Sequence, residues 1–108
     1  MKLLFVVLNS LEKLEDVLEG LIEVGVTGAT VVESVGMGHI IEGVPLFAGM
    51  KAIFRAAKPR NKTIYSVISD AQAEETLAML AKILACGDAG KSAGIAFILP
   101  IEKAIGLC

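Results

Sequence analysis

Two unbroken apolar stretches, Leu3–Leu8 and Ile95–Leu99, constrain this 108-residue chain most. Each has apolar residues at odd and even positions alike. Side chains of a strand alternate between faces, so each stretch sends hydrophobic groups to both sides of a sheet. Two further strands are expected. Thr30–Val35 opens on β-branched Thr30, Val31 and Val32, and Thr63–Ser69 alternates. Between them lie helical stripes. Leu11, Leu14, Leu18, Leu21 and Ile22 share one face, with Glu12, Lys13, Glu15, Asp16, Glu19 and Glu23 on the others. Ala73, Leu77, Leu80 and Leu84 form a second stripe ending near Ala85. Asn9 with Glu12, and Ser69 with Gln72, read as capping boxes, and Gly25 stands where a helix C-terminal glycine belongs.

The order is β-α-β-β-α-β, the split pattern of an α+β ferredoxin-like sandwich. The chain fits one domain, residues 1–108, with a four-stranded antiparallel sheet. Right-handed crossovers place both helices on one face. Two helices cover only that face. The other would expose an apolar patch larger than the few hundred Å² that monomers tolerate. The 55 % hydrophobic content also exceeds the roughly 45–50 % of ordinary soluble domains. At roughly 25 cal/mol per Å², covering such a patch is worth many kcal/mol before association costs. Self-association sheet to sheet about a closed symmetry axis is therefore expected.

The stretch Gly36–Lys62 is a long connection, and those in small domains are usually functional or disordered. It is too apolar for simple disorder. It reads as a partner-facing loop with a helical turn near Leu46–Ala57, and His39, Ile41, Leu46, Phe47, Lys51 and Arg55 as contact residues. The plainer alternative is a helix and linker packed on their own domain. Lys51, Arg55, Lys58, Arg60 and Lys62 lie in a stretch free of acids between Glu42 and Asp70, which makes a local positive patch or a solvated face. The net charge of −2 gives no general attraction to nucleic acid or acidic membranes. No apolar run approaches the length of a membrane span, so the chain is not expected to be transmembrane. Met1–Leu8 lacks a small-residue cleavage site and reads as a strand rather than a leader. Cys86 and Cys108 fit neither a zinc pattern nor a disulfide scaffold, and a reduced, cytoplasmic setting is expected.

Catalytic chemistry finds little support. His39 is the only histidine, which excludes a histidine-rich metal site within one subunit. Ser10, Ser34, Ser66 and Ser69 have no partners suggesting a nucleophile, and no acid–base pair stands out, so no enzyme is expected. Gly87-Asp88-Ala89-Gly90-Lys91-Ser92 superficially resembles a phosphate-binding loop. It lies between a helix and a strand, the reverse of a P-loop, and lacks the full spacing. Its amides can still form an anion nest with Lys91 as point charge, or the loop is a simple turn.

Gly25-Val26-Thr27-Gly28-Ala29-Thr30-Val31 followed by Gly36-Met37-Gly38 resembles the second-strand signature of the PII nitrogen-regulatory signalling proteins. So does the ending, Gly87-Asp88-Ala89-Gly90-Lys91 before Phe97-Ile98-Leu99-Pro100-Ile101-Glu102. The likeness covers nearly the whole chain except about 40–61. It implies a ferredoxin-like homotrimer with a nucleotide cleft between each pair of subunits. It also implies a large loop that regulates a target, such as a membrane transporter or a metabolic enzyme. By the same resemblance Thr30 contacts the nucleotide and Gly36, Met37 and Gly38 allow close approach at the loop base. Gly87, Asp88, Gly90 and Lys91 hold phosphates. The sequence departs from the family at Ile40, where Gln is usual, and Tyr65 lies in the third strand rather than the loop. No cofactor is obligatory; ADP, ATP and AMP are the ligands the resemblance leaves open. The alternative is a trimer resembling the CutA type, a metal-response or assembly module without nucleotide sensing.

Overall fold

Alternate positions of the first apolar run separate by burial: Leu4, Val6 and Leu8 are fully buried, and Leu3, Phe5 and Val7 are half-buried. The computed structural model describes residues 1–50, 60–85 and 92–107. The run forms β1, Lys2–Leu8, and three more strands follow: β2, Thr30–Ser34; β3, Asn61–Ile68; and β4, Gly94–Pro100. They form one four-stranded sheet in the order β2-β3-β1-β4. β1 is antiparallel to both β3 and β4, and β2 is antiparallel to β3. β1 therefore runs parallel to β2 with β3 between them, and β3 parallel to β4 with β1 between them. The two crossovers carry α1, Leu14–Glu23, and a long helix, Asp70–Leu84. This is an α+β arrangement consistent with the ferredoxin-like expectation.

Both helices pack on one face. Val17 and Leu21 of α1, and Ala73, Leu80 and Leu84 of the long helix, join Leu4, Val6, Leu8, Ile64 and Ile68 in a single core. The second face is also apolar, as the odd and even pattern requires. The register puts Phe5 opposite Tyr65 on one side and Phe97 on the other. Their ring centroids lie 4.9 Å from Phe5, Tyr65 edge-on at 87° and Phe97 stacked at 20°. Ile95 and Leu99 beside them are 58 % and 46 % exposed. Among the described residues nothing covers this face. At its β2 margin the surface turns polar: Ser34 donates to Asn61 Oδ1 and lies 2.8 Å from Thr63 Oγ1.

Local chemistry accounts for the element ends. α1 closes in a complete Schellman motif: Val26 N–H bonds to the Leu21 carbonyl at 2.8 Å and Gly25 N–H to that of Ile22 at 3.0 Å. Gly25 has φ 87°, which glycine adopts without a Cβ clash. The capping box at the long helix forms as expected, with Gln72 N–H on Ser69 Oγ at 3.2 Å and Ser69 N–H on Gln72 Oε1 at 3.0 Å.

Three expectations are corrected. The Asn9–Glu12 capping box does not form. The amides of Asn9 and Ser10 both bond to the Ala93 carbonyl, at 2.8 and 3.1 Å, so the chain is still tied to the sheet there. A 3₁₀ turn, Leu11–Lys13, comes before α1. Second, the long connection becomes helical sooner than Leu46. Gly36, extended at φ −75° and ψ 155°, precedes the short α2, Met37–Glu42, and a 3₁₀ turn, Pro45–Met50, follows. The long helix is accordingly α3. Third, the closing segment Ile101–Leu107, whose composition after Pro100 suggests a helical turn, forms none. Ile101 N–H bonds to the Met1 carbonyl at 3.2 Å, which ties the start of the segment to β1.

Two substitutions test this packing in urea titrations. Thr76 is fully buried in α3 and its hydroxyl has no partner among the described residues. Thr76→Val keeps the shape, removes the unsatisfied group and raises stability by about 1 kcal/mol or more. Gly94 is packed so that an added Cβ would collide with the backbone carbonyl of Val7. Gly94→Ala lowers stability by about 1–3 kcal/mol, because backbone cannot swing aside as a side chain can.

Candidate functional site

The pairing of β2 with β3 begins only at Thr30, opposite Tyr65. β3 continues through Ser66, Val67 and Ile68, so its last residues run past the start of β2. The ribbon leading out of α1, residues 25–29, fills the place that a longer β2 would occupy. Two side chains hold the ribbon. Ser66 donates its hydroxyl to the Gly28 carbonyl, and Gln72 Nε2 donates to the Gly25 carbonyl at 3.0 Å. Gln72 thus caps α3 and braces the ribbon at once.

Between ribbon and β3 lies a cavity of about 610 Å³. Leu3, Tyr65, Val67 and Leu107 give it an apolar side, and residues 25–30 with Ser66 and Gln72 bring polar groups to the other. Among the described residues no Asp, Glu, Lys, Arg or His side chain lines it. This described lining suits an uncharged, partly apolar group, and by itself brings no charge to neutralise a phosphate. Close by, the Met1 ammonium contacts Asp70 Oδ1 at 2.5 Å. That hydrogen bond, helped by the positive charge, holds the Asp70 carboxyl below the ordinary carboxylate range. The stability it contributes is present above the unfolded-state pKa and is lost as pH falls through the lowered one.

The residues expected to bind nucleotide do not all meet in one chain. Thr30 lines the cavity. Gly36, Met37 and Gly38 lie at the other end of β2, roughly 20 Å away at about 3.3 Å per strand residue. Gly36 abuts Asn61, whose Nδ2 would lie 3.5 Å from an added Cβ. Gly87, Asp88, Gly90 and Lys91 lie outside the described residues, as do Cys86 and Cys108. At the border of that loop, Ser92 donates to the Leu84 carbonyl at 3.1 Å and accepts from Gly94 N–H at 3.1 Å, joining the end of α3 to the start of β4.

Of the expected partner contacts, His39 is exposed on α2, Ile41 is half-buried, and Leu46 is 84 % exposed. Lys51, Arg55 and the side chain of Phe47 lie outside the described residues. Sequence reasoning missed Ile40, which is 57 % exposed, and assigned Met37, 68 % exposed, to the nucleotide alone. The short helix turns both outward, a spacing of three that becomes a signal only once a helix starts at Met37. The expected positive patch is weakened at one end, where Lys62 Nζ lies 3.4 Å from Glu33 Oε1 across the β2–β3 pair. Among the described residues no three His, Cys, Asp or Glu side chains gather where they could hold a metal. No described helix is long and apolar enough to cross a membrane.

The family model described as Nitrogen regulatory protein P-II matches residues 1–107. The match does not favour the CutA-type alternative. No curated protein matches the chain.

Gly25 is the pivot of the cavity wall. Gly25→Ala forces a Cβ into the left-handed region and costs about 1–2 kcal/mol. The loss is expected in thermal unfolding monitored by circular dichroism.

Proposed function

We propose, on the premise that the chain belongs to the P-II nitrogen regulatory protein family, that it is a trimeric regulator whose effector binds between subunits. Membership makes it a PII-like signal-transduction protein of nitrogen regulation, and members of this family are regulators rather than enzymes. The effector is an adenine nucleotide, with ATP, ADP and AMP as the candidates. The target, a membrane transporter or a metabolic enzyme in a cytoplasmic setting, is engaged by the 36–62 loop.

The observation that carries this reading is the uncovered apolar face of the sheet with an uncharged cavity at its margin. Covering the Phe5, Phe97 and Leu99 face with other subunits brings their surfaces up to that margin. Thr30 and the Gly36–Gly38 turn are too far apart for one nucleotide to bridge within a chain. A cleft between subunits joins the Thr30 end of one copy to the loop base of the next. The uncharged base and sugar then occupy the cavity, and the phosphates meet Gly87, Asp88, Gly90 and Lys91. Ligand binding changes the loop population to the extent that the ligand prefers one loop state. Met37, Ile40 and Leu46 supply the apolar contacts a target needs.

Sedimentation and calorimetry test this together. A trimer is expected at micromolar concentration, with saturable heat from at least one of ATP, ADP and AMP. Lys91→Ala is expected to weaken nucleotide binding by roughly 10- to 100-fold, the range for one charge-assisted hydrogen bond. Unchanged affinity removes Lys91 from the site. A stable monomer, or no heat from any of the three nucleotides, overturns the reading.

A further inference from the structure

We propose that the groove between α1 and α3, on the side of the helices turned away from the sheet, docks a short, basic, amphipathic helix of a partner protein. The surface is separate from the cavity beside β2 and from the apolar sheet face. Both helices cover the side of the sheet opposite Phe5, so subunits that join through the Phe5 face leave the groove open. β1 and β3 are antiparallel, and the helices that follow them, α1 and α3, are therefore antiparallel too. Between the two lies a cavity of about 530 Å³. Its floor is apolar: Gly20 is buried, and Met79 and Ile83 are half-buried. Its rim is acidic. Asp16, Glu19 and Glu23 line it from α1 and Glu75 from α3, all exposed, with Lys82 the one cation among the described lining.

The charges of the rim do not serve the fold. Asp16 and Glu19 are three residues apart and Glu19 and Glu23 four, so like charges are neighbours along α1. Glu23 ends the helix, where the dipole is already negative, and the last turn has no basic residue. Among the described residues none of the four carboxylates forms an ion pair. A cationic partner relieves this repulsion, and an anionic one adds to it. The apolar floor narrows the partner further. Lys and Arg heads meet the carboxylates while an apolar side chain beside them covers Met79 and Ile83. An added Cβ at Gly20 would collide with Met79 Sδ, so the thioether lies across bare backbone, and such a side chain readily shifts to fit a guest. Asp16 to Glu23 spans roughly 10 Å at about 1.5 Å per residue, which suits about two turns of a helix laid along the groove.

The probe is a fluorescein-labelled synthetic peptide in which Leu and Lys recur at helical spacing. It is titrated with the full-length protein at physiological ionic strength and read by fluorescence anisotropy. Saturable binding is expected. Glu19→Gln with Glu23→Gln is expected to weaken it roughly 3- to 30-fold, the range for two exposed charge pairs. Glu12→Gln with Glu102→Gln removes the same charge outside the groove and is expected to leave affinity within about twofold, since exposed charges at a distance are screened. A matched peptide with Ser in place of Leu is expected to bind about tenfold more weakly or worse, having nothing apolar to set on the floor. No saturable binding, an equal loss in both double variants, or equal binding of the Ser peptide overturns the docking site. A synthetic peptide of residues 50–62 of this chain is titrated alongside. If it binds as tightly as the Leu–Lys peptide, the groove takes a second copy of this chain, and the foreign partner is overturned. None of these outcomes depends on nucleotide binding, so the effector reading stands or falls separately.

Discussion

The central position of β1 imposes the condition that the remaining structure must meet. Flanked by β3 and β4, the strand is hydrophobic on both sides, and the two helices can satisfy only one. Leu4, Val6 and Leu8 enter the helical core. Phe5 faces away from it and gathers Tyr65 and Phe97 into a row of rings across the other side. Those rings gain from one another by their edge-on and offset arrangements, but that gain does not remove their surface from water. A sheet built this way is stable as a fold and incomplete as a surface. Association is the ordinary physical remedy, and on the proposed reading it brings cavities and loops at the sheet margin into shared clefts.

The same geometry places the cavity. A short β2 beside a longer β3 leaves a step at the sheet edge, and the step is where a cavity can form without breaking the core. The Schellman turn at Gly25 aims the ribbon across the step, and Ser66 and Gln72 hold it there. The described lining of the cavity is therefore polar in part but uncharged. An uncharged pocket bordered by an aromatic ring selects by shape and stacking rather than by Coulomb attraction. On the proposed reading the charges for a phosphorylated ligand come from outside this described lining, with Lys91 as a candidate cation.

Much of this was legible in the sequence because it follows from periodicity. The two apolar runs, the four-three-four stripe of α3, the Ser69–Gln72 box and Gly25 each carry a local signature, and each element appears where its signature lies. What was not legible depends on contacts between distant residues. Asn9 has the composition of a cap, but Ala93, far along the chain, holds its amide in the sheet. Tyr65 reads as one more strand residue until the register sets it against Thr30 and Phe5. Ile40 and Met37 turn outward only because a short helix begins at Met37, and the glycines on either side obscured that start.

β2 links the two ends of the proposed machinery. Its first residue, Thr30, borders the cavity, and beyond its last, Ser34, the chain turns through Gly36 into α2. The strand is hydrogen-bonded along one side only, to β3, so it is an edge strand of a twisted sheet. An edge strand can shift its twist at less cost than a central one, since a single ladder resists the change. On the proposed reading, a ligand that presses on the Thr30 end is passed along the strand to the Ser34 end, where Ser34, Asn61 and Thr63 share their hydrogen bonds. That polar trio adjoins the loop base through the contact of Asn61 with Gly36. Coupling between an effector and the loop, on the proposed reading, needs no long pathway. It needs one strand with a cavity at one end, a helix start at the other, and a neighbouring subunit to complete each end.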